Sequence, residues 1–461
     1  MENREPDIEN LKKKPQNRSA SSAREAALEL LHKLFQNPEE GTPLPVMLAR
    51  ATKVAGLGQR DAALLSELVF GVLRRHALLD SLLDRFLKKP GALSAQVRLL
   101  LRLGVYELLF MDGIPARATV SELVALARRR FGQGMGGLVN GVLRTADREA
   151  ASLCESLGQA SPAVASSIPA WLMGMWSKQY GQVEAESFAL NALGQAAPCW
   201  RVNMAREGAA ELREQWLARG YAPVGRCGFS SCGLDRGREG AAEEQQELAA
   251  LEEQGAITRQ GISSQLVSEF VADWILRDER LAQLELWDAC CGRGGKTAGL
   301  LEKGVRVALA SDPAQFRLDE LKTSVHRLGL AEPKLICAPE QDVPASFPLI
   351  LLDVPCSGTG TLGRAPELRL RLTPDKLNEA EKLQASILED AWAKLQPGGV
   401  LFYATCALNR KENEKQIGKF FASHGKENGG DATLCEQRLF LPELPGHDAL
   451  FLAVLSKEQE K

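Results

Sequence analysis

From about residue 263 onward, short apolar runs alternate with stretches of helical periodicity, an alternation that commits this half of the chain to a parallel sheet with crossover helices. The proposed strands are "LELWDAC", "VRVALASD", "KLICA", "PLILLDVPC", "VLFYATC" and "ALFLAVL", and the helices between them include "DELKTSVHRLG" and "NEAEKLQASILEDAWAKL". Sheets of this kind bind ligands at the carboxyl ends of their strands. The residues just after each strand are therefore where function is expected.

The rest of the 461 residues reads differently, so the chain is expected to be multidomain. Residues 23–150 repeat apolar side chains at helical spacing, as in "AALLSELVFGVLRRHALLDSLLDRFL", and predict an all-α domain. Residues 165–262 mix a helix beginning near "IPAWLMGMW" with short strands such as "CWRVNM", which suggests a small α/β connecting domain ahead of the α/β domain at 263–461. Residues 1–22 are charged and lack the apolar core of a signal peptide, and are expected to be a disordered tail. No apolar run approaches the roughly 18 residues that span a bilayer, so a cytoplasmic protein without membrane contact is expected.

Residues 1–150 carry 23 Lys and Arg against 17 Asp and Glu, while the whole chain has a formal charge of −3. A positive excess at the front suits a polyanion-binding module, although a solvated basic face has the same composition. The ten cysteines include no C-x-x-C pair, and the five histidines lie far from any cysteine pair, so no metal site is expected. Each cysteine is by default a small buried hydrophobe and needs a specific reason to be reactive.

Several strand ends supply such reasons. "DACCGRGGKT" places Gly292, Gly294 and Gly295 between a strand and a helix, where backbone can approach a ligand and the helix start offers free N–H donors. A phosphate-binding Walker loop would need glycine at position 290, which is cysteine. Asp312 ends the next strand about twenty residues further on, the place of a ribose-binding acid in nucleotide folds, and it could equally cap the helix after Pro313. Two further strands end in cysteine, at Cys356 and Cys406.

Taken in order, "DACCGRGGKT", Asp312, "DVPCSGTG", "PGG" and "YATC" followed by "KEN" resemble the motifs of the Sun (Fmu) family of S-adenosylmethionine-dependent RNA cytosine-C5 methyltransferases. "RDAALLSELVFGVLRR", "RLGVYELLF" and "LVNGVLR" are similar to the NusB-like RNA-binding domain that precedes the catalytic domain in its bacterial ribosomal-RNA members. The resemblance implies a NusB-like helical domain followed by a Rossmann-like class I methyltransferase domain. It places S-adenosylmethionine against Cys290, Cys291, Gly292, Arg293, Gly294, Gly295, Lys296, Asp312 and Asp353. The chain departs from the family pattern at Arg293, where Pro is usual, at Gly261 for Asp, and at Ala407 for Ser. It also has "CAPEQD" in place of a Gly-Asp pair, leaving Glu340 and Asp342 as candidates for an adenine-side contact.

The same resemblance makes Cys406 the nucleophile and Cys356 the group that assists proton removal and release, with Asp353 on the pyrimidine edge and Lys296 orienting the pocket. An electropositive neighbour favours a reactive thiolate. The expected partner is RNA, a single-stranded or loop cytosine of 16S ribosomal RNA, and the expected state is a monomer. Two rivals remain: a DNA cytosine-C5 methyltransferase, in which the Pro-Cys cysteine is the nucleophile, and a non-catalytic RNA-binding assembly factor.

Overall fold

A computed structural model describes residues 22–39, 41–157, 160–235, 239–339, 343, 346–441 and 446–459. All but the last residue of the expected tail, together with Glu340 and Asp342, lie outside the described residues. The chain divides between Ser167 and Ile168 into two units.

The first unit is helical: α1 (Ala23–Gln36), α2 (Leu44–Ala55), α3 (Gln59–Leu83), α4 (Ala95–Phe110), α5 (Ala116–Phe131), α6 (Gln133–Arg148), α7 (Ala150–Leu157) and α8 (Pro162–Ser166). α1 and α4 begin at serine caps: the Ser22 and Ser94 hydroxyls accept from the Glu25 and Val97 amides. α3 and α4 pack closely because Gly71 has no side chain; a Cβ there would lie 1.9 Å from the Tyr106 ring. Heptad-like spacing puts Leu65, Leu68, Val69, Val72 and Leu73 in the core, as the sequence predicts. Within that core Glu107 is fully enclosed and accepts from Arg24 at 2.6 and 3.0 Å and from the Thr119 hydroxyl.

The second unit begins with α9 (Ala170–Tyr180) and α10 (Gln182–Asn191). A four-stranded antiparallel sheet follows, built from β1 (Cys199–Val202), β2 (Ala222–Val224), β3 (Gly228–Ser230) and β4 (Ile257–Arg259) in the order β2-β3-β1-β4, with α11 (Ala209–Ala218) and α12 (Ala241–Glu253) in its connections. After α13 (Ile262–Leu276) and α14 (Glu279–Ala282) comes the larger sheet: β5 (Leu286–Asp288), α15 (Gly295–Leu301), β6 (Val307–Ser311), α16 (Gln315–Leu328), β7 (Lys334–Ile336), β8 (Phe347–Asp353), α17 (Leu368–Arg371), α18 (Pro374–Lys394), β9 (Leu395–Thr405), α19 (Glu414–His424), β10 (Ala432–Phe440) and β11 (Leu450–Lys457).

The strand order is β10-β11-β9-β8-β5-β6-β7. β7, β6, β5, β8 and β9 run parallel, whereas β11 pairs antiparallel with β9 and β10 antiparallel with β11. The expectation of a wholly parallel sheet is corrected here to a mixed one: "ALFLAVL" is β11 and reverses direction. β10 was not among the expected strands because it is an edge strand with most side chains exposed, so no apolar run marks it. Alternate residues of the central strands face opposite layers. Trp287, Ile350, Leu352, Leu401 and Tyr403 pack with Ile387, Leu388, Trp392, Ile417 and Phe420 of α18 and α19; Leu286, Leu349, Leu351, Val400 and Phe402 pack with Val267, Val271 and Ile275 of α13.

Because the chain leaves β5 toward β7 and then returns to β5's other side as β8, the carboxyl ends of β5 and β8 border the crevice where strand order reverses. That is where the motif residues gather.

The Arg24 pair offers a direct test of the helical unit. Arg24→Met should lower stability by about 3 kcal/mol, because it strands the Glu107 carboxylate in the core. Urea unfolding should show this as a lower midpoint with an unchanged slope.

Candidate active site

β5 ends in Asp288, and the chain then turns through Cys290 to Gly294 into α15. Gly292 and Gly294 have φ of +54° and +77°, a region that disfavours other residues. A Cβ on Gly294 would strike Leu321, while one on Gly292 would meet no atom within 4 Å, so the turn packs on one side and is open on the other. The Cys290 and Cys291 side chains belong to separate core clusters, the first with Trp287 and Ile350, the second with Leu318 and Leu321. What these two cysteines can present to a ligand is backbone. The Arg293 guanidinium, half exposed, pairs with Glu320 of α16 at 3.0 Å, so its charge is matched by this chain's own carboxylate.

Asp312, just past β6, is buried; its carboxylate accepts from the Ala314 amide at 2.8 Å and from Arg317 at 3.2 Å. The expected helix cap is not formed, because α16 begins at an Ala314 N-cap without a side-chain cap; Asp312 instead closes the turn ahead of the helix and pairs with Arg317. Gly261 starts α13 without a side-chain cap, and a Cβ there would sit 3.8 Å from the Asp448 carboxylate. Ala407 is fully buried beneath Cys406 in the chain, where its amide donates to Thr405 Oγ1.

The expected catalytic residues come together. Lys296, in the first turn of α15, reaches Asp353 at the end of β8, with Nζ 2.5 Å from Oδ2. Burial pulls the Lys296 pKa down, but Asp353, with Cys406 and Asp288 adding to it, outweighs that effect and leaves the pKa raised, so the ammonium persists through neutral pH. Parallel pairing sets Asp353 opposite Ala404 of β9 and carries the next residues of both strands to one edge. There Cys356 Sγ and Cys406 Sγ lie 3.0 Å apart, and the Cys406 amide donates to Cys356 Sγ at 3.3 Å. The Cys356 pKa is raised well above that of a free thiol, by its hydrogen bond with Cys406, by burial, and by the charges of Cys406 and Glu412.

Polar residues to which the sequence reading assigned no role brace this edge. Thr359 Oγ1 accepts from the Leu408 amide, and the Gly360 amide donates to the Cys406 carbonyl, both at 2.9 Å. Asn413 accepts from Thr405 Oγ1 at 2.6 Å and donates to the Ala407 carbonyl at 2.8 Å. Glu412, with no exposed surface, accepts from the Ser357 amide, Gln384 and Asn409. The signal for Glu412 and Asn413 was the "KEN" triplet after "YATC", to which the sequence attaches no role until the loop is seen to turn inward. Among the described residues no cluster of His, Cys, Asp and Glu could hold a metal ion, and no helix is long and apolar enough to cross a membrane.

Asp288 completes the pocket. It is buried, Oδ2 accepts from Thr297 at 2.6 Å, and Oδ1 has no partner. Burial pushes its pKa up to about 7, against the lowering effect of the Thr297 hydrogen bond. A carboxyl raised in the folded state stabilises fully below its ordinary pKa and loses that contribution as pH rises through 7. Asp288→Asn should therefore gain stability over the parent between pH 5 and pH 8.5, by about 2 kcal/mol at the upper end. Thermal unfolding of both proteins across that range is the check; parallel curves would contradict it.

Comparison with known proteins supplies the family. Residues 278–456 match the family described as 16S rRNA methyltransferase RsmB/F, and residues 21–148 match the NusB family. The chain is 31% identical over 417 residues to the probable ribosomal RNA small subunit methyltransferase B of Bacillus subtilis, covering 88% of this chain and 89% of that protein. It is 31% identical over 446 residues to ribosomal RNA small subunit methyltransferase B of Erwinia tasmaniensis, covering 91% and 96%. The crystal structure of PH0851 superposes with a TM-score of 0.69 over 94% of this chain and 98% of that one, at 21% identity, which shows a shared fold. The cofactor is S-adenosylmethionine, and the residues present suit it: an open glycine turn, an unpartnered buried carboxylate for a cationic ammonium, and an acid after the second strand. A NusB-type helical unit, a mixed sheet with its motif residues at the strand ends, and full-length relatives together establish that this chain belongs to the RsmB/F family of 16S rRNA methyltransferases.

Proposed function

We propose that this enzyme methylates C5 of a cytosine in small-subunit ribosomal RNA through a covalent adduct between Cys406 and C6 of the base. The observation that carries this reading is the meeting of two thiols, Cys356 and Cys406, 3.0 Å apart at adjacent strand ends, with Cys406 near enough to Lys296 to be felt by its charge. The RNA assignment rests on the names of the relatives and on the basic composition of residues 1–150.

C5 of cytosine is a weak nucleophile. Addition of the Cys406 thiolate at C6 forms the S–C6 bond and shifts the ring's electron pair toward C5, splitting one hard step into two easier ones. Asp353, held by Lys296, hydrogen-bonds the polar edge of the pyrimidine and favours the adduct. Gly292, Gly294, Gly295, Asp288 and Asp312 hold S-adenosylmethionine, which supplies an electrophilic methyl group when bound. Afterwards the C5 proton leaves, the C5–C6 double bond re-forms, and Cys406 departs; Cys356 assists both events. A base must leave its stack to enter, at a cost of a few kcal/mol, which favours a loop or single-stranded cytosine.

The two cysteines act on opposite sides of the adduct, so their variants should differ. Cys406→Ala should abolish methylation and any protein–RNA adduct. Cys356→Ala should permit attack and methylation yet impair release, accumulating a complex that survives denaturing electrophoresis. A DNA-type mechanism reverses the two phenotypes, and a non-catalytic factor shows no adduct with either variant.

A further inference from the structure

We propose that Glu412 is a positioning residue that assigns the two cysteines their separate tasks, aligning Cys356 beside Cys406 and keeping it a thiol while Cys406 attacks. This rests on the covalent reading above and adds to it a residue and a proton path.

The geometry is a clamp around one residue. Glu412 Oε2 accepts from the Ser357 amide at 2.9 Å and from Gln384 Nε2 at 2.8 Å, while Oε1 accepts from Asn409. Gln384 Nε2 also donates to the Pro355 carbonyl at 2.9 Å. The backbone on both sides of Cys356 is thus tied to one carboxylate and the amide beside it. The Tyr403 hydroxyl donates to the Glu412 carbonyl at 2.9 Å and so secures the loop that carries the carboxylate.

The chemistry of the clamp is more telling than its shape. Every donor on the Glu412 carboxylate is a neutral amide. A glutamine could accept from Ser357 and Gln384 with one oxygen, at the cost of turning its own NH2 toward the Asn409 donor, and it would spare the cost of burying a charge among neutral donors. Negative charge is what the carboxylate adds. The titratable groups around Cys356 are Tyr403 from β9, and Cys406 and Glu412 from the loop after it, with the Lys296–Asp353 pair beyond Cys406. The anion on the Cys356 side opposes a second anion there, and the cation lies on the Cys406 side. This arrangement keeps the proton on Cys356.

A protonated Cys356 also solves the release step. As the S–C6 bond breaks, Cys356 passes its proton across the 3.0 Å gap to the departing Cys406 sulfur and takes up the proton leaving C5. The C5–H and S–C6 bonds are broken, the C5–C6 double bond is restored, and both cysteines end as thiols, so protons and electron pairs balance with no added reactant.

Two variants separate charge from alignment. In RNA-free enzyme, Glu412→Gln should shift the pH profile of iodoacetamide labelling at Cys356 to lower pH, so that at pH 8 the label enters several-fold faster, with Cys406 as internal reference in the mass spectrum. With S-adenosylmethionine and substrate RNA, the same variant should accumulate the denaturation-resistant adduct and slow turnover at least tenfold. Glu412→Asp keeps the charge but withdraws it from Ser357; its labelling profile should match the parent while adduct release slows. An unshifted profile in Glu412→Gln, or parental release in Glu412→Asp, overturns the proposal, and either result suffices if the other variant does not fold. Absence of any adduct in the parent and in Cys356→Ala would instead reject the covalent reading, which the labelling profiles do not depend on.

Discussion

The parallel register of β5, β8 and β9 is the constraint on which this molecule's chemistry depends. Asp288 stands opposite Leu351, and Asp353 opposite Ala404, so three strands end within a residue or two of one another along one edge. A shift of one residue in any of these pairings would turn Asp353 or Cys406 to the other face and exchange it with a core side chain. The register is held from both faces by large apolar residues, Trp287, Leu352 and Tyr403 on one and Leu351, Phe402 and Val267 on the other. Core packing and site geometry are the same requirement seen at the middle and at the end of each strand.

A cluster of buried and partly buried polar groups is the consequence of that arrangement. Asp288, Asp353, Lys296, Glu412 and the two cysteines lie where the sheet's apolar layers end, and their carboxylates accept hydrogen bonds, one from the Lys296 ammonium and the others from uncharged donors. Low local polarity raises the stakes for each, since an unpaired charge is costly and a paired one is strongly felt by its neighbours. The same setting separates functions: Lys296 is kept cationic by Asp353, while Asp288 is pushed toward neutrality near pH 7. Two groups eight residues apart in sequence thereby both hold their protons more tightly, one as a cation and the other as a neutral acid.

The smaller sheet contributes through a fully buried ion pair. Arg201 of β1 reaches Glu302, just after α15, at 2.6 and 2.9 Å, and donates to the Gly295 carbonyl at 3.1 Å. It grips both ends of the short helix that carries Lys296. A seven-residue helix has little stability alone, and its position must come from such outside contacts.

The sequence by itself determined the element types, the helical front and strand-helix back, and the residues at each strand's carboxyl end. These depend on local periodicity and on glycine and proline, which act within a few residues of themselves. It also singled out Cys356, Cys406, Asp353 and Lys296 as candidates, because motifs in fixed order survive as text. The direction of β11 and the existence of β10 were decided only in the tertiary structure, since an antiparallel edge strand borrows its pairing from a neighbour and needs little apolar surface of its own. Asp312 could be read as cap or ribose contact, and only the folded loop shows it already holding Ala314 and Arg317. Glu412 is the sharpest case: the sequence marks it only as part of the "KEN" triplet, yet it is fully enclosed between the Cys356 loop and α18. Burial of a charged side chain is a property of what surrounds it in space, and those surroundings come from residues 28 and 55 positions away.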